Sequence, residues 1–228
     1  MNDFYKQPKL FQWVEAILLL LIGLLPALVI IEKGYSQPLF YLLFLIYVPI
    51  VQFAATPFFT LVGVYKYYSP MLLGYMANDN QIDLHSGGSF DYLFVMRKYK
   101  SGIEMRNRLL ILHLEGLIYM IRQIENKSIS EKVNIVGTSY FFNNRTLYKM
   151  GFEVEDPSLF HRVNLIANFI DLSWMYSLSQ GKPKIPKIWN AKNAKISGAK
   201  LIEKKKMIEE LYEKLKRKTT DLQLDNYK

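Results

Sequence analysis

The sequence predicts a mixed α/β domain on the cytoplasmic side of a membrane. An N-terminal two-helix transmembrane hairpin precedes this domain, and a basic helical tail follows it. Three observations predict this architecture: two long apolar runs before residue 65, alternating and helical apolar patterns between residues 69 and 180, and an excess of positive charge after residue 181. The chain of 228 residues therefore divides into segments 1–68, 69–180 and 181–228.

The apolar runs predict two transmembrane helices. Residues 11–31 contain one charged side chain, Glu15, and residues 39–64 contain none. About 20 apolar residues span the hydrocarbon core of a bilayer, so both runs are long enough. Backbone groups in lipid must bond to one another, so each run should be helical. Two helices enclose no pore unless chains oligomerise, which leaves the oligomeric state open.

Lysines and arginines near the ends of the runs predict the orientation, because these residues concentrate in cytoplasmic loops. The loop between the runs has only Lys33, beside Glu32. The N-terminal flank has Lys6 and Lys9 against Asp3, and the second run is followed by Lys66, Arg97, Lys98 and Lys100. The prediction is a multi-pass protein of the cell (inner) membrane with both termini in the cytoplasm.

Residues 69–180 mix strand and helix patterns. Strands are predicted at 81–85, 133–140 and 152–154, because short β-rich segments there end at turn residues. Helices are predicted at 106–125, after Asn143 and Asn144 as far as Gly151, and from Ser158 to about residue 180. Residues 90–96 fit either a strand or the start of a helix.

The predicted helix after Ser158 has one narrow polar face, formed by His161, Asn164, Asn168 and Asp171. Nearly all its other residues are apolar, which favours burial against the sheet or a position on the membrane surface. The polar face is predicted to meet solvent. The alternative is that it lines a site.

The positive charge is confined to one segment. Residues 182–218 contain 13 lysines and arginines and four glutamates, a net charge of +9, which equals the net charge of the whole chain. Anionic lipid headgroups are the predicted partner of this tail. Nucleic-acid binding is not favoured, because aromatic residues are sparse there and no nucleic-acid-binding motif is present. The chain has no cysteine, which excludes disulfides and thiolate catalysis.

The strongest candidate catalytic residues are Asp83, His85 and Asp91. Strand alternation would place Asp83 and His85 on one face, and Asp91 follows a Gly-Gly turn. A histidine flanked by carboxylates suits a general base or half of a metal site. These residues do not complete a metal site, so none is predicted. The alternative is a glycine turn stabilised by its own polar side chains.

A second candidate is an anion-binding site formed by Ser139, Asn143 and Arg145. Small and polar residues here lie at a predicted strand-to-helix junction, and helix N-termini attract anions. The phosphate-binding loop and the dinucleotide fingerprint are both absent. Helix capping by Asn143 or Asn144 is the alternative.

Two family resemblances arise from these motifs. The segment from Leu147 to Val154 resembles the closing signature of GNAT acetyltransferases, but that family's pyrophosphate-binding segment has no counterpart upstream, so acetyl-CoA binding is not predicted. Residues from about 80 to 180 resemble the YkoP-like domain, an uncharacterised bacterial family, through the segments 82–85, 135–139 and 150–153. This resemblance implies a cell-envelope context and supplies neither an activity nor a cofactor.

The sequence therefore favours a membrane-tethered accessory or binding module in a cell-envelope process. The alternative is a membrane-bound enzyme that acts on a lipid or lipid-linked glycan through His85 with Asp83 or Asp91. This alternative predicts a polar pocket near the membrane that contains these side chains.

Overall fold

A computed structural model describes residues 2–139 and 144–225. Two long helices form an antiparallel hairpin, α1 (Lys9–Ser36) and α2 (Phe44–Leu61), joined by a 3-10 helix at Pro38–Leu43. Both segments are long and apolar enough to cross a membrane. Gly23 allows close packing of the hairpin, because an added Cβ would lie 2.6 Å from the Cβ of Ala54. The Tyr47 hydroxyl donates a hydrogen bond to the carbonyl of Gly23.

A mixed six-stranded sheet forms the centre of the domain. Its strands follow the spatial order β1-β2-β3-β4-β6-β5. The strands are β1 (Tyr65–Ser69), β2 (Leu72–Tyr75), β3 (Gln81–Ser86), β4 (Asn134–Ser139), β5 (Glu153–Glu155) and β6 (Lys192–Ser197). Only β3 and β4 pair in parallel, and this pairing ends at Leu84 and Gly137. β3, β4 and β5 lie within one residue of the predicted strands.

The helices pack around this sheet. Residues 90–96 are helical, because α3 (Ser89–Asp91) continues as a π-helical turn through Met96. The remaining helices are α4 (Ile103–Glu125), α5 (Asn144–Lys149), α6 (Leu159–Ala167), α7 (Phe169–Gln180), α8 (Gly198–Glu203) and α9 (Lys205–Asp225). The predicted helix from Ser158 is thus two helices that meet at Asn168. Gly181, with φ of +69°, ends α7 in the left-handed conformation that glycine favours.

The expectation of a separate basic tail differs from the structure. Residues 192–197 form β6, which lies between β4 and β5 in the sheet. Ala194 and Ile196 are buried in the core, whereas Lys192 and Lys195 pair with Asp156 and Glu155. The lysines make this segment resemble a solvated one in the sequence, but Ala194 and Ile196, two positions apart, lie on one face of a strand and pack in the core. Leu201 of α8 and Ile208 of α9 are fully buried in the same core.

The first residues of the chain fold back onto the domain. A 3-10 helix at Asp3–Lys6 precedes α1. The Phe4 ring lies 5.6 Å from the ring of Phe90, and the Tyr5 ring lies 5.9 Å from that of Tyr67. The N-terminus, the end of α2 and the start of β1 therefore lie together at one end of the hairpin.

Candidate functional site

A cavity of about 530 Å³ lies between the sheet, α4, α6–α7 and the hairpin helix α2. This volume is within the range of small-molecule sites. The cavity begins where the parallel strands β3 and β4 stop pairing, so that His85, Ser86 and Thr138 line it. Crevices beyond the carboxyl ends of parallel strands are frequent ligand sites in α/β proteins. The topology thus provides a concave surface at the end of the only parallel pair among the described strands.

The wall of the cavity is amphipathic. The polar residues that line it are Gln52, Thr56, Asp83, His85, Ser86, Ser89, Asp91, His113, Thr138, His161, Asn164, Asn168 and Asp171. The apolar and aromatic residues are Phe59, Tyr65, Leu72, Leu73, Tyr75, Leu84, Leu117, Leu147, Met150, Phe152, Leu165, Leu172, Met175 and Ala194. This mixture suits a ligand that has both an apolar part and a polar part.

Asp83 and His85 project from β3 on the same face, as strand alternation predicts. The His85 Nε2 atom lies 3.4 Å from Oδ2 of Asp83. This Nε2 atom is shielded from solvent and makes no hydrogen bond within the described residues. The Tyr75 ring packs edge-on at 6.1 Å from the imidazole. An imidazole beside a carboxylate is a common arrangement of a general base, and both side chains line the cavity.

Asp91 is a buried carboxyl group at the hairpin end of the cavity. It has no exposed surface, and the Tyr67 hydroxyl lies 2.9 Å from each of its carboxylate oxygens. The Gly88 backbone N–H donates to Oδ2 at 3.2 Å. Burial raises the pKa of Asp91 to about 7, although hydrogen bonds from Tyr67, Asn2 and Gly88 oppose this shift. Asp91 can therefore exchange a proton near neutral pH.

Asp171 of α7 is a second buried carboxyl group on the cavity wall. Burial raises its pKa to about 6, and hydrogen bonds from the Ser89 side chain and backbone oppose this shift. The sequence placed Asp171 on the polar face of the predicted helix without assigning it to a site. The structure turns that whole face, with His161, Asn164 and Asn168, toward the cavity. The sequence left two interpretations of this polar face, contact with solvent or the lining of a site. The structure agrees better with the second, because all four residues line the cavity.

All three histidines of the chain line this one cavity. The Nδ1 atom of His113 lies 2.7 Å from the carbonyl oxygen of Leu109 and donates to it, and burial lowers the pKa of His113, so the ring is neutral. The Nδ1 atom of His161 lies 2.8 Å from the Ser158 hydroxyl. Residues 2–139 and 144–225 contain no group of three or more His, Cys, Asp or Glu side chains that could hold a metal ion.

Most of the predicted anion site lies outside the described residues, so this site stays a prediction. Asn143 and the Ser139 side chain lie outside them, and Arg145 is exposed on α5 without lining the cavity. The neighbours Gly137 and Thr138 line the cavity instead, and the Thr138 hydroxyl donates to the Asn193 side chain at 2.9 Å. The junction after β4 thus contributes to the site through residues that sequence reasoning did not select.

The hairpin contributes one side of the cavity. Gln52, Thr56 and Phe59 lie on one face of α2, at helical spacing, and all three line it. Aromatic rings continue from there to His85. The ring centroids of Phe59 and Tyr65 are 5.6 Å apart, and those of Tyr65 and Tyr75 are 5.9 Å apart. Sequence reasoning did not find this link, because it depends on how the hairpin packs against the sheet.

Comparison with known proteins yields no relative. No family model, no curated protein and no solved structure matches the chain. The resemblance to the YkoP-like domain therefore stays a prediction, and the function must be argued from the cavity itself.

Proposed function

We propose that this chain is an integral membrane protein that binds a lipid or a lipid-linked molecule in the cavity between its hairpin and its cytoplasmic α/β domain. One observation carries the proposal. The same cavity is lined by Gln52, Thr56 and Phe59 of an apolar helix and by Asp83 and His85 of the sheet.

The exposed surface of the hairpin supports its position in a membrane. Leu21, Leu25 and Leu28 of α1 are 55–65% exposed. Leu42 of the connecting 3-10 helix is 60% exposed and Ile46 of α2 is 58% exposed. A water-soluble domain rarely exposes so many neighbouring apolar side chains. The charges outside the apolar runs favour cytoplasmic termini, and the domain then lies on the cytoplasmic side of the cell membrane.

The depth of the cavity along α2 supports a ligand with an acyl or isoprenoid chain. Gln52 and Phe59 are seven positions apart, which corresponds to about 10 Å along the helix. A ligand that fills the cavity therefore contacts α2 from Gln52 to Phe59, over the last part of the helix, which ends at Leu61. The apolar chain of the ligand would lie along α2, and its polar headgroup would meet His85, Asp83 and the polar face of α6–α7.

The test is the lipid that copurifies with the full chain in mild detergent, identified by native mass spectrometry. We expect one lipid class to be enriched over the bulk membrane. His85→Ala should remove contacts with the headgroup, and Phe59→Ala should remove contacts with the chain. Each should lower the bound fraction by about tenfold, the effect of losing roughly 1.4 kcal/mol.

Matched controls are Asn126→Ala and Tyr148→Ala, which replace exposed residues outside the cavity wall. Both should retain the lipid. A lipid profile that equals the bulk membrane, or that stays the same in the His85 and Phe59 variants, would contradict the proposal.

A second candidate function is catalysis on a lipid or lipid-linked glycan. The observation that favours it is the pair of proton-transfer groups, His85 with Asp83 and the buried Asp91 with a pKa of about 7. Lipid extract incubated with the wild-type chain should then yield a product that disappears with His85→Ala or Asp91→Asn. If both variants retain the lipid and yield the same products as wild type, the site binds without catalysis.

We also propose a cell-envelope role, for which the resemblance of residues 80–180 to the YkoP-like family is the support. A bound envelope lipid in the copurification experiment is the expected result. A bound lipid without any envelope function would count against this role while leaving the binding proposal intact.

A further inference from the structure

Helices α6 and α7 expose an apolar face on the outside of the molecule. Its residues are spaced by four or three positions, so they lie on one side of the helix pair. They are Leu159, Val163, Ile166, Ile170 and Trp174, which are 78%, 56%, 44%, 44% and 44% exposed. A contiguous face of this kind on a single chain indicates a surface that contacts something other than water.

The inner face of the same helices has the opposite character. Asp171, which is 8% exposed, lies there with His161, and both line the cavity. A surface helix of a water-soluble domain would instead have its apolar side toward the core and its polar side toward solvent. The exposed side of α6–α7 is thus apolar while Asp171 and His161 face the cavity, which suits a protein whose outer surroundings are apolar.

Helix α7 lies beside the hairpin. Helix α7 contacts α2. Asn168, Asp171 and Met175 line the same cavity as Gln52 and Thr56 of α2. A bilayer that surrounds this part of α2 would therefore lie close to α7.

The loop after α7 extends the apolar face and adds charge. Ile185 is 67% exposed and Trp189 is 77% exposed. A short 3-10 helix at Ile188–Asn190 contacts α6, and its Ile188 packs in one buried cluster with Leu165. Lys182, Lys184 and Lys187 are all exposed in this loop. Tryptophan with lysine is typical of the headgroup layer, where cations are attracted to anionic lipid.

We infer that the outer face of α6–α7, together with the 182–189 loop, is a membrane-docking surface. It lies in the headgroup and upper acyl layer of the leaflet that the hairpin enters, and its lysines contact anionic lipids. The cavity then has its outer wall in the membrane. The inference rests on the proposed function only in that the hairpin must lie in the bilayer.

Tryptophan fluorescence of the full chain tests this inference, because the chain has only three tryptophans, Trp13, Trp174 and Trp189. Phenylalanine substitutions at two of them leave the third as a single probe. Trp13 lies in α1 and reports on the hairpin. A control carries all three phenylalanine substitutions and Ser128→Trp in an exposed loop. Each protein is reconstituted into vesicles of phosphatidylcholine and phosphatidylglycerol with brominated acyl chains.

We expect brominated lipid to quench Trp174 and Trp189 at least half as strongly as Trp13, and aqueous iodide to quench them little. The tryptophan at position 128 should show the reverse. The triple variant Lys182→Glu, Lys184→Glu, Lys187→Glu should raise iodide quenching of Trp189 roughly twofold or more, because the loop then lacks the cations that attract anionic headgroups. This increase should require phosphatidylglycerol.

Three results would overturn the inference. Iodide-accessible Trp174 and Trp189, with Trp13 quenched by lipid, would place the surface in water while the hairpin stays in the membrane. Protection from both quenchers would mean that a second copy of the chain or another part of the protein covers the surface. Absence of lipid quenching at Trp13 as well would instead remove the membrane position on which the proposed function rests.

Discussion

The hairpin helix α1 and the domain helix α4 are both long and rich in apolar residues. Many apolar side chains of α1 are exposed, whereas those of α4 are largely buried. Leu21, Leu25 and Leu28 of α1 are 55–65% exposed, whereas Leu109 and Leu114 of α4 are fully buried. Burial of apolar surface away from water is what stabilises a domain such as the one around α4. Much of the apolar surface of α1 and α2 is therefore not buried within the chain, and the bilayer is the partner that we propose for it.

Helices α6 and α7 combine these two behaviours. Leu165 and Met175 pack inward like residues of α4, while Ile170 and Trp174 point outward like residues of α1. The cavity lies at this boundary between the two regions. If the surroundings of α1 and α4 differ in this way, substitutions in the hairpin and in the domain should change the stability of the domain by unequal amounts.

The largest effect on the free energy of unfolding should come from truncating the side chain of a core leucine of α4. Leu114→Ala should lower the free energy of unfolding by about 2–5 kcal/mol, because it leaves a cavity in a packed core. Leu25→Ala on α1 should change it by less than about 1 kcal/mol in detergent micelles, since Leu25 is 61% exposed. Denaturant unfolding in micelles measures both variants. Equal losses would show that the two helices have the same kind of surroundings.

The buried carboxyl group of Asp91 should make stability depend on pH. Its pKa of about 7 lies above the ordinary value of 3.8, so the folded state holds the proton more tightly than the unfolded state. The free energy of unfolding should therefore fall as the pH rises from about 4 to about 7, by at most about 4 kcal/mol for this group.

Asp91→Asn should remove most of this pH dependence and leave the smaller part due to Asp171, whose pKa is about 6. Exposed Asp79→Asn is the matched control and should behave like wild type. Thermal unfolding in detergent at several pH values provides the measurement. A wild-type profile that is flat between pH 4 and 7 would rule out this role of Asp91 burial.

Close packing at two glycines should give a moderate effect. An added Cβ would lie 2.6 Å from Leu72 at Gly116 and 2.6 Å from Ala54 at Gly23. Gly116→Ala should destabilise the domain by about 1 kcal/mol net, because overpacking outweighs the gain in helix propensity. Gly23→Ala should instead loosen α1 from α2 and leave the unfolding of the domain unchanged. Gly88→Ala, which meets no atom within 4 Å, is the control.

The smallest effect should come from a surface ion pair of the domain. The Lys205 ammonium group lies 2.9 Å from the Glu125 carboxylate and links α9 to α4. Lys205→Gln should lower the free energy of unfolding by less than about 1 kcal/mol, and added salt should reduce the difference further. Denaturant unfolding at low and high salt measures it. A loss of several kcal/mol would mean that the pair does more than join two exposed side chains.

Elements whose residues form local patterns were predictable from the sequence. The hairpin, α4, β3 and β4 were all found within a few residues, because their apolar periodicity is set within each segment. β6 was not found. Its sequence, Lys-Asn-Ala-Lys-Ile-Ser, has too little apolar alternation to predict a strand, and it becomes a strand only because β4 and β5 pair with it. β1 and β2 were also not predicted, since Tyr65, Tyr67 and Tyr68 resemble the aromatic residues at the end of a membrane span.

The site was only partly predictable for the same reason. Strand alternation alone placed Asp83 beside His85, and the Gly-Gly turn brought Asp91 to the same cavity. His113 and His161 joined them through tertiary packing that no sequence pattern specifies. The contribution of Gln52, Thr56 and Phe59 depends on the contact of the hairpin with α7 and the sheet.

The central claim is that the cavity shared by the hairpin and the domain holds a lipid. Photocrosslinking in native membranes tests it most directly, with p-benzoylphenylalanine at Phe59, which lines the cavity, and at Ile50, which is 55% exposed on α2. Mass spectrometry then identifies the crosslinked lipids. We predict one enriched lipid class at position 59, lost in the His85→Ala variant, and the bulk lipid mixture at position 50 in both proteins. Bulk lipid or no lipid at position 59, with position 50 labelled, would contradict the claim.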